Sequence, residues 1–185
     1  MNDDRSPEPP LQKFYFKLAH KRIILLAGLS TAVLFLVITS SSKKYLPENA
    51  PAIISLQFCA SPESFLAVLR QWGKAGVTGY RESLWIDYLF PAAYAIFFAS
   101  LISWLEKKKT ISTGRIPIIF FFPLAAGLLD WLENSIHLQL LVNPSTVNAV
   151  EVFSAFLISS AKWLLLVVTM LFIFTRFLRL FIRET

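Results

Sequence analysis

Hydrophobic positions in this chain come in long runs rather than at a helical or strand period. A membrane helix needs about 20 mostly apolar residues. Four stretches qualify: Ile23–Thr39, extended by Ser40–Ser42; Leu84–Leu105; Ile116 to about Val142; and about Val150 to Phe174. Pro117 and Pro123 in the third predict a kink or a tilt. The connection Lys43–Glu82 is too long to be a bare link. Within it, Ser61-Pro62-Glu63 reads as an N-cap, a proline at the first helical position and an early acid. Phe65, Leu66, Leu69 and Trp72 follow at spacings of three and four, while Arg70 and Lys74 fall off that face. The pattern predicts a short amphipathic helix, ended by Gly73, Gly76 and Gly79, that lies on the membrane surface or caps the bundle.

The expected fold class is therefore an all-α membrane protein: a four-transmembrane-helix bundle with an amphipathic helix in the first outside loop. Its expected organisation is a tail over 1–22, a four-span membrane domain over 23–175 and a second tail over 176–185. The polar stretch Met1–Pro10 is expected to be mobile, and Phe14, Tyr15 and Phe16 to form an interfacial lead-in to the first span.

Composition agrees with this reading. Of 185 residues, 55% are hydrophobic and only 16% charged, whereas a soluble domain carries about 25% charged residues. Cys59 is the single cysteine, which excludes an intrachain disulfide. The formal net charge of +6 is not read as a nucleic-acid signature, because its distribution follows the spans. Arg5, Lys13, Lys17, Lys21, Arg22, Lys107, Lys108, Lys109, Arg115, Arg176, Arg179 and Arg183 fall on one side. Lys43, Lys44, Arg70, Lys74 and Arg81 fall on the other. Positive-inside bias places both termini in the cytoplasm of a multi-pass protein, in a bacterial inner membrane or the endoplasmic reticulum. The first span follows a long tail and precedes Ser-Ser-Ser-Lys-Lys rather than a small-x-small site, so it is expected to be an uncleaved anchor.

Ionisable groups inside spans are costly and pair with one another or mark functional sites. The second span begins near Asp87 and carries Tyr94. The third carries Asp130, Glu133, Asn134 and His137, and the fourth carries Lys162. At about 100° per residue, the four groups of the third span share an arc of about 100°. Glu151, Ala155, Ser159, Lys162 and Thr169 form a similar stripe on the fourth. At about 1.5 Å per residue, Asp130 and Lys162 lie at one depth near the bilayer middle. Glu133 and Tyr94 lie slightly further out, Asn134 and His137 further still, and Asp87 near the outer interface. The set describes a polar funnel in which Lys162 pairs with Asp130 or Glu133. It also fits buried groups that simply join helices. Asp130-x-x-Glu133-Asn134-x-x-His137 lacks the second Glu-x-x-His helix of a di-metal bundle, so no metal is expected. With no Gly-rich phosphate loop, no cofactor is expected either.

Some strings resemble a known family. Phe65-Leu-Ala-Val-Leu-Arg-Gln-Trp-Gly-Lys-Ala-Gly-Val-Thr-Gly-Tyr80 resembles the loop helix of the EXPERA domain, shared by the sigma-2 receptor and emopamil-binding sterol isomerases. Trp85-Ile-Asp-Tyr-Leu-Phe-Pro-Ala-Ala-Tyr94 resembles its acid-plus-proline second span, and Gly127-Leu-Leu-Asp130 the acid of its third. The resemblance spans roughly Ile23 to Phe174 and implies that Asp87 is a ligand-binding or catalytic acid. The first span departs from the family in having no acid and no His/Glu pair. The strings Asp87-Tyr-Leu-Phe and Leu129-Asp-Trp-Leu-Glu-Asn134 also look like those of small bacterial four-span proteins.

Three functions are compatible with these residues. The first is a polar-floored pocket for a small amphiphile, a lipid or sterol-like molecule. Its ligand-binding residues would be Asp87, Tyr94, Asp130, Glu133, Asn134, His137 and Lys162, and a catalytic version would use one acid as proton donor in an isomerase-type reaction. The second is a proton or cation pathway through the same funnel. The third is a structural or accessory subunit of a membrane complex or homo-oligomer. Membrane lipids are expected partners in every case.

Overall fold

The computed structural model describes residues 9–142 and 146–184. Every regular element among them is helical: α1 (Pro10–Leu18), α2 (Lys21–Tyr45), α3 (Ile53–Gln57), α4 (Pro62–Asp87), α5 (Phe90–Thr113), a 3-10 turn (Ile118–Phe120), α6 (Phe121–Val142) and α7 (Ala149–Glu184). Three helices are long and apolar enough to cross a membrane: α2, the 3-10 turn continued into α6, and α7 as far as Leu180. A fourth crossing arises if α4 and α5, bent by 42° at Tyr88 and Leu89, count as one span.

The bend relocates the expected second span. Its uncharged run Phe90–Leu105 rises only about 24 Å, short of a hydrocarbon core of about 30 Å. Counted as one span with α5, the end of α4 would supply the missing length, across a break that precedes Pro91. Asp87 is the last residue of α4, immediately before that break. Trp85 stands on α4 and is 68% exposed.

The amphipathic segment begins as expected. Ser61 Oγ accepts from the Ser64 backbone N–H, and Ser64 Oγ accepts from the Ser61 N–H, both at 3.3 Å, which satisfies two free donors of the first turn. Phe65, Leu69 and Trp72 are buried, and Arg70 and Lys74 are exposed. The segment does not end at its glycines. Gly73 alone leaves the helical region, at φ 64° and ψ −178°, and the chain resumes the helix to Asp87. A left-handed φ costs glycine nothing, so Gly73 makes an elbow rather than a stop. Beyond the elbow, Gly76 and Gly79 stay helical and let the α4 backbone lie close to Trp72 and Tyr45. The helix caps the bundle. Its Phe65, Leu69, Trp72, Tyr80 and Leu84 bury against Leu140 and Leu141 of α6 and Val152 of α7. The Trp72 indole donates to the Pro51 carbonyl at 2.7 Å.

The opposite end is closed by α1. Tyr15 and Leu18 pack with Ile102, Phe120 and Ile173, so part of the expected tail is folded. The expected C-terminal tail is helical too, because α7 runs on past Phe174 to Glu184. Pro117 and Pro123 fall before and within the first turn of the α6 span, where a missing N–H breaks no helix bond. They mark the start of that span rather than a kink in its middle. Gly127 sits at a close α5–α6 approach, where a Cβ would stand 3.2 Å from the Pro91 carbonyl oxygen. α2 is peripheral: none of its residues is buried, and Leu25, Leu26 and Leu29 are 64–71% exposed. Such a face suits lipid rather than water.

Candidate functional site

The polar stripe of α6 faces inward along its whole length. Asp130, Glu133, Asn134 and His137 are 0–5% exposed, and Lys162 of α7 is 3% exposed. Residues at i, i+3, i+4 and i+7 share one face of a helix, and here that face meets α7. Lys162 Nζ lies 2.9 Å from Asp130 Oδ1 and 2.6 Å from Glu133 Oε2. The expected ion pair is a three-membered bridge. Only the Asp130 arm is also a directed hydrogen bond.

The two carboxylates are served unequally. Tyr94 of α5 donates to Asp130 Oδ2 at 3.0 Å, so each Asp130 oxygen has a donor. Glu133 Oε1 has none. The nearby Ser159 hydroxyl gives its proton to the Ala155 carbonyl at 2.8 Å instead. Neither side-chain atom of Asn134 makes a hydrogen bond of good geometry, although the amide is 1% exposed. Asp87 lies beside it, half-exposed at the α4–α5 bend. Leaving buried polar atoms unpaired costs about 1–3 kcal/mol each, so this corner of the cluster has unused hydrogen-bonding capacity.

His137 closes the set on the α4 side. Its Nδ1 lies 3.0 Å from the Tyr80 hydroxyl, and its ring packs near Phe65 and Tyr80. An open funnel was expected; in this structure α4 roofs it, and Asp87 is the only one of its acids near the surface. Trp131 and Trp163 flank the site without entering the bridge. Trp131 donates to the Tyr88 carbonyl at 2.8 Å, and Trp163 to Gln57 Oε1 at 3.1 Å.

Tyr80 was not among the residues singled out from the sequence. A helix ended at the glycines would have left it in a loop, so its position above His137 had no register. A second buried group was also missed. Arg176 Nε pairs with Glu106 Oε1 at 2.6 Å, and Glu106 is 3% exposed. Nearby, Thr110 donates to Tyr15 Oη at 3.2 Å, and burial raises the Tyr15 phenol pKa above its ordinary value. These contacts bring α1, the end of α5 and the end of α7 to one end of the bundle. Glu106 was masked in the sequence by the lysine run that follows it.

Among the described residues, no group of three or more His, Cys, Asp or Glu side chains is placed to hold a metal ion. Compared with family models, curated proteins and solved structures, the chain matches none.

Proposed function

We propose that this chain is a four-span membrane protein with cytoplasmic termini, whose intramembrane polar cluster binds the cationic head of a small lipid-like or sterol-like amphiphile. The observation that carries the reading is the imbalance of the cluster. Asp130 and Glu133 share one lysine, Asp87 lies beside Asn134 with no ion pair to that lysine, and Glu133 Oε1 and the Asn134 amide make no hydrogen bond of good geometry while buried. An ammonium group beside Glu133 and Asn134 would supply the missing donors and the missing charge. The aromatic file Phe90, Tyr94 and Phe98 on α5 offers an apolar wall for the body of such a ligand. Entry would pass Asp87 at the α4–α5 bend. The resemblance of the Asp87 and Asp130 strings to EXPERA domains points the same way. The orientation rests on the uneven split of lysines and arginines and on the gathering of α1, the α5 end and the α7 end together.

Thermal-shift measurement of the detergent-solubilised chain tests this, using an amphiphilic amine and the neutral amide of the same skeleton. The amine should stabilise the wild type more than the amide does. Glu133→Gln and Asp87→Asn should each weaken the amine by about tenfold, since a charged hydrogen bond contributes about 1.5–3 kcal/mol. Equal shifts from amine and amide, or shifts unchanged in both variants, would leave the cluster as a structural joint between helices.

A further inference from the structure

The α1 end of the bundle carries a separate feature that the polar cluster does not use. A cleft of about 550 Å³ opens between the α1–α2 corner and the ends of α5 and α7. Its polar lining is basic: His20, Lys21, Lys107 and Lys108, with no acid among the lining residues. Lys21, Lys107 and Lys108 are exposed and make no ion pair among the described residues. The cleft shares Lys21 and Trp104 with an apolar groove of about 260 Å³, walled by Ile24, Leu25, Leu101 and Phe177. Trp104 stacks against Phe177 at 6.3 Å, at the level where the apolar run of α5 gives way to its lysines. A further hollow, lined by Lys109, Arg179 and the Glu106–Arg176 pair, adjoins the cleft through Leu105, Lys108 and Leu180.

Cations above, an aromatic at the boundary and an apolar groove below reproduce the profile of one leaflet. We propose that this is a binding site for an anionic phospholipid. The headgroup phosphate sits among Lys21, Lys107 and Lys108, and one acyl chain lies in the groove along α2 beneath Trp104. Charge complementarity selects the anion, since basic pockets between spans attract anionic headgroups. Direct continuity between the basic cleft and the apolar groove selects a lipid over a soluble anion. The 71% exposed Leu25 is then covered by the chain of the lipid. The site is remote from Asp130 and Lys162 and does not depend on what the polar cluster binds.

Native mass spectrometry of the full chain in detergent, titrated with phosphatidylglycerol or phosphatidylcholine of identical acyl chains, tests the site. Wild type should retain phosphatidylglycerol well above phosphatidylcholine. The triple variant Lys21→Gln, Lys107→Gln, Lys108→Gln should lose roughly a hundredfold in phosphatidylglycerol affinity, at about fivefold per lysine, with phosphatidylcholine retention unchanged. The single variant Lys108→Gln, which removes one exposed side chain, should lose about fivefold and covers the case in which the triple variant misfolds. Millimolar inorganic phosphate should not displace the lipid. Equal retention of the two lipids, or a phosphatidylglycerol affinity undiminished in Lys108→Gln, overturns the proposal. Displacement by phosphate alone would show a soluble-anion site instead and overturns it equally.

Discussion

Replacing Lys162 by methionine is the sharpest probe of the buried bridge. Methionine nearly matches the lysine stem in volume, so packing against α6 changes little, while the ammonium disappears from 2.9 Å and 2.6 Å of two carboxylates. Removing one partner of a buried ion pair costs about 3–5 kcal/mol, because the survivor is left desolvated and unpaired. Asp130 keeps the Tyr94 hydroxyl, but Glu133 keeps no hydrogen bond at either oxygen. The stranded charge therefore weighs most at Glu133. Lys162→Met should lower the melting temperature in detergent by about 6–12 °C, taking about 3 kcal/mol at roughly 2–4 °C per kcal/mol for a chain of this size. Adding Asp130→Asn should recover part of that loss. Adding Glu133→Gln should recover more, and the triple change Lys162→Met, Asp130→Asn, Glu133→Gln should recover most of it. Double-mutant cycles from size-exclusion thermostability measure the coupling. Rescue by neither single neutralisation would refute the bridge as a stabilising contact, and better rescue from Asp130→Asn would refute the assigned asymmetry.

The second ion pair should behave asymmetrically as well. Glu106 is nearly fully buried and Arg176 is 27% exposed, so Arg176→Gln should destabilise by about 1–3 kcal/mol. Glu106→Gln should cost under about 1 kcal/mol, since the arginine left behind can reach water; equal effects in thermal melts would contradict this. Gly73→Ala should cost about 1–2 kcal/mol through backbone strain alone, because φ is +64° and an added Cβ meets nothing within 4 Å. No loss of melting temperature would remove the elbow as a conformational requirement. A cysteine introduced at Lys108 of a Cys59→Ser chain should resist a non-permeant maleimide in intact cells and react after permeabilisation. Labelling without permeabilisation would reverse the orientation.

The extent to which the sequence revealed this arrangement follows from which signals are local. Apolar runs and helical arcs depend on nearby residues, so the spans of α2, α6 and α7 and the inward stripe of α6 were legible. The matched depth of Asp130 and Lys162 was legible too, because both distances are measured along regular helix from the same turn. The α4–α5 region was not. Three glycines within seven residues of Gly73 signal a stop by propensity, but burial of Tyr80 and Leu84 against α6 and α7 outweighs the roughly 1 kcal/mol that each helical glycine costs. The bend moved Asp87 to the rim and left Tyr80 above His137. Glu106 went unnoticed because a lone acid before three lysines reads as a solvated interface. Only the course of α7 beyond Phe174 brings Arg176 to it.

Balance is what separates a joint between helices from a site. Polar contacts that merely join spans contribute about 0.6–2 kcal/mol each, and one acid facing one lysine would suffice for that at the depth of Asp130. The chain instead places a second acid on the same lysine and leaves its Oε1 without a donor. It adds an asparagine whose amide makes no hydrogen bond of good geometry, and sets a third acid beside it at the helix bend. Glu133 and Asn134 are buried, so leaving them short of partners costs folding energy in a low-dielectric interior. Helix adhesion gives no reason for that excess. A cationic group bound there does, because it would supply donors to the free Glu133 oxygen and the Asn134 carbonyl oxygen.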